Sequence, residues 1–114
     1  MVLVDKKISV QELAKMSGKM FERLVKAVVD IERGIMVVDA DYHSEEECFL
    51  LEHGSRQEHL WGINIHPSKI GHEAFIEFDS MINIRPVQGN RGRGVYNSEI
   101  QEKIKNIVNT LVVI

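Results

Sequence analysis

The chain has 114 residues, 44% hydrophobic and 27% charged, which is ordinary composition for one folded domain spanning residues 1–114 and excludes a wholly disordered chain. Its longest apolar runs, such as Ile35–Val38 and Leu111–Ile114, fall far short of the roughly 20 residues a membrane helix needs, so no membrane association is expected. The net charge of −3 and a pI near 5.9 oppose a surface that is basic throughout, as a general nucleic-acid binder would have.

The distribution of charge says more than its sum. Asp39–Glu58 holds seven carboxylates against one cation, Arg56. Met81–Ser98 holds Arg85, Arg91 and Arg93 and no acid. The single cysteine, Cys48, has no internal partner for a disulfide, and no secretory leader is visible at the N-terminus. Both point to a reducing, cytoplasmic setting.

The chain opens with a short strand over Val2–Val4. Ser9 followed by Glu12 forms a capping box, and Val10, Leu13, Ala14, Met20, Phe21 and Leu24 recur at helical spacing. This predicts a first helix running to about Glu22, interrupted at Gly18. The period then shortens. Val25–Ile31 and Ile35–Ala40 read as strands, joined at Glu32-Arg33-Gly34 by a hairpin turn with a left-handed Gly. Ser44 before three glutamates predicts a capped helix over Glu45–His53, with Cys48 on its apolar side and Gly54 after its end.

Leu60–His66 reads as a strand stopped by Pro67, Glu73–Phe78 as another and Ile82–Arg85 as a third, stopped by Pro86. Val87–Tyr96 is a glycine-rich loop. Asn97 opens a last helix whose apolar face is Ile100, Ile104, Ile107, Val108 and Leu111. The order is (β)αββαβββα. Short connections between strands favour antiparallel pairing, so the expected class is α+β: a mainly antiparallel sheet of five to six strands with three helices. Leu13, Phe21, Ile104, Val108 and Leu111 are expected to pack on it.

Two polar segments carry the candidate chemistry. In Ser80–Gly94, a strand end delivers Arg85, and a loop then presents Gln88, Asn90, Arg91 and Arg93 ahead of a helix N-terminus. Glycines let backbone N–H groups approach a ligand, and guanidinium forks match phosphate and carboxylate oxygens. The bland alternative is a surface loop whose arginines pair with the Asp39–Glu58 carboxylates. The second segment, Glu52–Asn64, offers Ser55, Arg56, Gln57 and Asn64 as a supporting polar cluster, with Trp61 as an apolar wall or a core residue. Arg85, Asn90 and Arg91 are expected to converge near Ser55 and Gln57.

The five histidines (His43, His53, His59, His66, His72) lack metal-ligand spacing and read as solvated. No metal or cofactor is called for. His43 stands beside Glu45–Glu47, but helix capping already accounts for those acids. Ser55 lacks a nucleophile-elbow context, so no reaction is assigned.

Val28-Val29-Asp30-Ile31-Glu32-Arg33-Gly34-Ile35, Gly54-Ser55-Arg56-Gln57-Glu58-His59-Leu60-Trp61-Gly62-Ile63-Asn64 and Ser80-Met81-Ile82-Asn83-Ile84-Arg85-Pro86-Val87-Gln88-Gly89-Asn90-Arg91 resemble signature stretches of a small bacterial and archaeal family of unknown function. The resemblance spans about Met20–Ile107. It implies that both polar segments are hallmarks of that family, and no catalytic residue carries over. The expectation is a small binding protein for an anionic ligand, such as a nucleotide or phosphorylated compound, at the Arg/Gly-rich loop. The alternatives are a nucleic-acid-associated protein and a protein–protein module acting as a homodimer.

Overall fold

Two strands with almost no polar interruption set the centre of the fold. Strand β3 (Val25–Asp30) has only Lys26 incompletely buried, and β5 (Leu60–Ile65) is buried along its whole length. They pair antiparallel, with Lys26 opposite Asn64 and Asp30 opposite Leu60. Sheets covered on both faces read as continuous apolar runs, and here both faces are covered. The computed structural model describes residues 1–18 and 23–114. The predicted helical positions Met20 and Phe21 lie outside the described residues.

The main sheet adds β1 (Val2–Val4), β4 (Ile35–Val38) and β6 (Ile76–Glu77) in the order β1-β4-β3-β5-β6, antiparallel throughout. A small parallel pair, β2 (Ile8–Ser9) with β7 (Val112–Val113), ties the chain ends together. Helices α1 (Val10–Ser17) and α3 (Ser98–Leu111) cover one face, where Leu13, Ile104, Val108 and Leu111 pack against Val25, Ala27, Val29, Trp61 and Ile63. Helix α2 (His43–Glu52) covers the other, where Leu50 meets Val28, Val37 and Leu60. The protein is thus α+β, with three helices on a five-stranded antiparallel sheet.

The expected caps at Ser9 and Asn97 form: the Ser9 hydroxyl accepts from the Glu12 N–H, and the Asn97 carbonyl accepts from Glu99 and Ile100. The hairpin turn is one residue longer than its spacing implied. Asp30 pairs with Ile35, leaving Ile31–Gly34 as the loop, with Gly34 left-handed at φ +69°. The buried Asp30 carboxylate builds it, accepting from the Glu32 and Arg33 N–H groups at 2.9 and 3.0 Å.

Three expectations are corrected. The Glu73–Phe78 strand shrinks to Ile76–Glu77, because a 3-10 turn takes Glu73–Phe75. Ile82–Arg85 is not a strand at all; a 3-10 turn occupies Met81–Asn83. Cys48 is exposed, because the buried stripe of α2 is His43, Glu46 and Leu50. That stripe also buries one histidine that was expected to be solvated and one glutamate that was expected to serve the helix start.

Helix α2 starts earlier than predicted. Its N-cap is Tyr42, which makes no side-chain capping hydrogen bond, so Ser44 sits inside the first turn. Ser44→Ala is therefore expected to cost under about 0.5 kcal/mol, where loss of a real cap would cost about 0.5–2. A urea denaturation midpoint checks this.

Candidate functional site

The segment from Ser80 to Tyr96 is knotted by its own polar groups. Arg85 and Asn90 form an isolated antiparallel bridge, with N–H···O distances of 2.7 and 3.1 Å across the turn that carries Gln88 and Gly89. The Asn90 side chain is buried. Its amide donates to the Asn83 carbonyl at 2.7 Å and the Gly94 carbonyl at 2.8 Å, and its carbonyl accepts from the Tyr96 N–H. Asn90 therefore holds the loop shut from within, whereas glycine content had suggested an open loop.

Asn83 explains why no strand forms beside it. Between Leu60 and Ile63, β5 has no partner strand on its second edge among the described residues. The buried Asn83 side chain fills that role: its carbonyl accepts from the Gly62 N–H at 2.8 Å and its amide donates to the Gly62 carbonyl at 2.9 Å. One primary amide reproduces both hydrogen bonds of a ladder step. The close approach also needs Gly at position 62, since a Cβ there would lie 2.6 Å from the Ser80 side chain.

The predicted site residues do not share one surface. Arg85, Gln88 and Gln57 come together. The Arg85 guanidinium lies over the Trp61 ring, 4.1 Å from its centroid, and donates to the carbonyls of Gln57 and Leu60 and to the Gln88 side chain. Gln88 in turn donates to the Glu58 carbonyl at 3.1 Å. Burial presses the Arg85 guanidinium below its ordinary pKa, and the charge of Glu47 acts in the opposite sense.

Arg93 and Asn64 meet through Asp79. The Arg93 Nε lies 2.6 Å from the Asp79 carboxylate, and Asn64 donates to the Asp79 carbonyl and to Glu77. Ser55 belongs to the hairpin turn, donating to Asp30 at 2.7 Å and accepting from Arg33 at 2.9 Å. Arg56 is exposed beside Glu58. Arg91 is exposed and has no partner among the described residues. The Asp39–Glu58 carboxylates do not form ion pairs with Arg85, Arg91 or Arg93 among the described residues.

A second constellation was missed. A cleft of about 180 Å³ lies under the start of α2, lined by Lys26, Tyr42, His43, Ser44, Ser80 and Arg93 among others. His43 is 8% exposed, and its Nε2 lies 2.7 Å from the Ile63 carbonyl. A carbonyl only accepts, so Nε2 carries the proton. Burial pulls the His43 pKa down to about 4, and the charges of Lys26 and Arg93 push the same way. One turn on, Glu46 is fully buried. Its Oε2 accepts from the Ala40 N–H at 3.1 Å, and burial raises its pKa to about 9. Both side chains are neutral at pH 7. Their sequence signal was the i, i+3, i+7 spacing of His43, Glu46 and Leu50, a helical stripe with two polar members.

Residues 2–111 match the family described as "Protein of unknown function (DUF5674)". The chain belongs to this family. No curated protein and no solved structure matches it.

In this DUF5674 chain the three stretches that resemble the family lock onto one another. Arg33 of the hairpin reaches Ser55, Arg85 reaches the carbonyls of Gln57 and Leu60, and Asn83 closes the edge of β5 at Gly62. Among the described residues no three His, Cys, Asp or Glu side chains group as a metal site, and no helix is long and apolar enough to cross a membrane.

Proposed function

We propose that this protein is a cytoplasmic binding module for a small anionic group, a phosphate or carboxylate of a nucleotide or phosphorylated compound, taken up in the cleft at the start of α2. One observation carries the reading: the N-terminus of α2 has no side-chain cap and shares its cleft with two cations, Lys26 and Arg93. The Glu45 N–H donates to the Tyr42 carbonyl at 3.1 Å, which leaves the His43 and Ser44 N–H groups without a partner among the described residues, and the helix dipole adds positive potential there. Lys26 is half-buried, and its side chain has no hydrogen bond or ion pair among the described residues. An ammonium without a counter-charge favours an incoming anion. Arg93 uses its Nε on Asp79, which leaves its two terminal nitrogens for a ligand. Ser44 and Ser80 add hydroxyl donors at the rim. The Arg/Gly-rich loop thus contributes through Arg93, while Arg85 and Asn90 hold its shape.

The test is an amide-shift titration with inorganic phosphate and mononucleotides, followed at Ser44 and Glu45. Saturable shifts there are expected. Lys26→Met should weaken phosphate at least tenfold, which corresponds to about 1.4 kcal/mol. Unmoved α2 amides with every anion, or unchanged affinity in Lys26→Met, would sink the reading.

A further inference from the structure

We infer that the protein has a second, independent binding site, for a small carboxylate, in the cleft between the Arg/Gly-rich loop and the N-terminus of α3. This cleft has a volume of about 230 Å³ and is walled by Trp61, Gln88, Tyr96, Asn97 and Ile100 with the adjoining loop backbone. It shares no lining residue with the α2 cleft.

The decisive group is Trp61. Its side chain is 1% exposed, yet its indole N–H has no hydrogen-bond partner among the described residues. A buried indole N–H normally finds an acceptor, and leaving one unpaired carries a desolvation cost. Trp61 lines the cleft, and the inferred ligand supplies the missing acceptor from there. The Arg85 guanidinium stacked on the ring puts a positive charge against the indole, which strengthens the N–H as a donor.

The other free polar groups of the cleft are donors too. The Tyr96 hydroxyl oxygen accepts from the Gly94 N–H, so its own hydrogen remains available. The Asn97 carbonyl is spent capping α3, which leaves its amide hydrogens unpartnered. Gln88 and Asn90 are used at both ends, Gln88 on Arg85 and the Glu58 carbonyl and Asn90 within the loop. Helix α3 has 14 residues and points its positive end here. Among the described residues no carboxylate lines the cleft to compete for these donors. No cation among the described residues lines it either, so a monoanionic carboxylate matches it better than a dianionic phosphate. Ile100 and the Trp61 ring give the ligand's hydrocarbon part an apolar wall.

The chain has one tryptophan, so its indole N–H gives one resonance in a proton–nitrogen correlation spectrum. Acetate, added at constant ionic strength, is expected to move that resonance saturably, together with the Ser98 amide. Asn97→Asp keeps a side-chain oxygen for the cap and adds a negative charge at the cleft. It should lower acetate affinity at least tenfold while the thermal midpoint holds. Trp61→Phe, followed at Ser98, should show a comparable loss; if that variant does not fold, Asn97→Asp carries the test. An indole resonance that ignores acetate, or an acetate response that survives Asn97→Asp, would overturn the site. A response to acetamide as strong as to acetate would overturn the carboxylate assignment. Lys26→Met should leave the indole response intact, so the two sites stand or fall separately.

Discussion

Asn83→Ala is expected to destabilise the protein by about 2–4 kcal/mol, far more than an ordinary loop substitution. The side chain is fully buried and serves three backbone groups: the Gly62 N–H, the Gly62 carbonyl and, at 3.0 Å, the Arg93 carbonyl. Truncation leaves both Gly62 groups without a partner in a place shielded from water, and leaves the Arg93 carbonyl with the Ser80 N–H alone. Each orphaned buried group costs about 1–3 kcal/mol, and partial entry of water into the gap keeps the sum near the lower end. The damage also spreads, since the Ser80 N–H donates to the same Arg93 carbonyl and the Asn90 amide donates to the Asn83 backbone. Arg91→Ala, in the same loop but exposed and unpartnered among the described residues, should change stability by under about 0.5 kcal/mol. Urea melts of the two variants side by side check the claim. Equal, small effects would mean that water replaces Asn83 at the sheet edge.

That edge also marks the limit of what could be read from the residues alone. The hairpin was legible because alternation over Val25–Ile31, a Gly at the turn and a second β-branched run are local signals. The last helix was legible because Ile100, Ile104, Val108 and Leu111 repeat at helical spacing, and Ile104 is indeed fully buried. The strand expected at Ile82–Arg85 failed for a reason no local rule contains. A side chain took the place of a backbone ladder, and only the partner strand's free edge, about 20 residues earlier in the chain, makes that possible.

The site followed the same division. Arginine and glycine in one loop suggested an anion site open to a ligand, but residue type does not say what a guanidinium faces. Arg85 faces main-chain carbonyls and the Trp61 ring, so it clasps the loop to β5. The α2 cleft draws Lys26 from β3, His43 from a helix start and Arg93 from the loop. Folding brings them together from three distant segments, so no motif spacing could show them. Lys26 was visible only as the one incompletely buried residue of a strand, a place where a charge normally costs stability.

Glu46→Gln is expected to stabilise the protein by about 3 kcal/mol at pH 7, and by more at pH 8. Glu46 has a pKa of about 9 when folded, against an ordinary value of 4.5. Between those values the folded state holds a proton that the unfolded state has released. Its contribution is therefore fully present below pH 4.5 and is lost as pH rises toward 9, by about 1.4 kcal/mol per unit. His43 runs the other way. Its folded pKa of about 4 lies below the ordinary 6.5, so its contribution is present above pH 6.5 and is lost as pH falls toward 4. The two slopes oppose each other between about pH 4.5 and 6.5, and above pH 6.5 only the Glu46 loss remains. Gln keeps an oxygen to accept from the Ala40 N–H and has no proton to lose, while the second Glu46 oxygen has no partner to forfeit among the described residues. Stability measured by urea melts from pH 5 to 8 should fall above pH 6.5 in the wild type and stay level in the variant, with the curves converging near pH 5. Parallel curves would show that the Glu46 carboxyl is ionised inside the fold, which would require a counter-charge at its unpartnered oxygen, with Lys26 the nearest cation in strength of interaction.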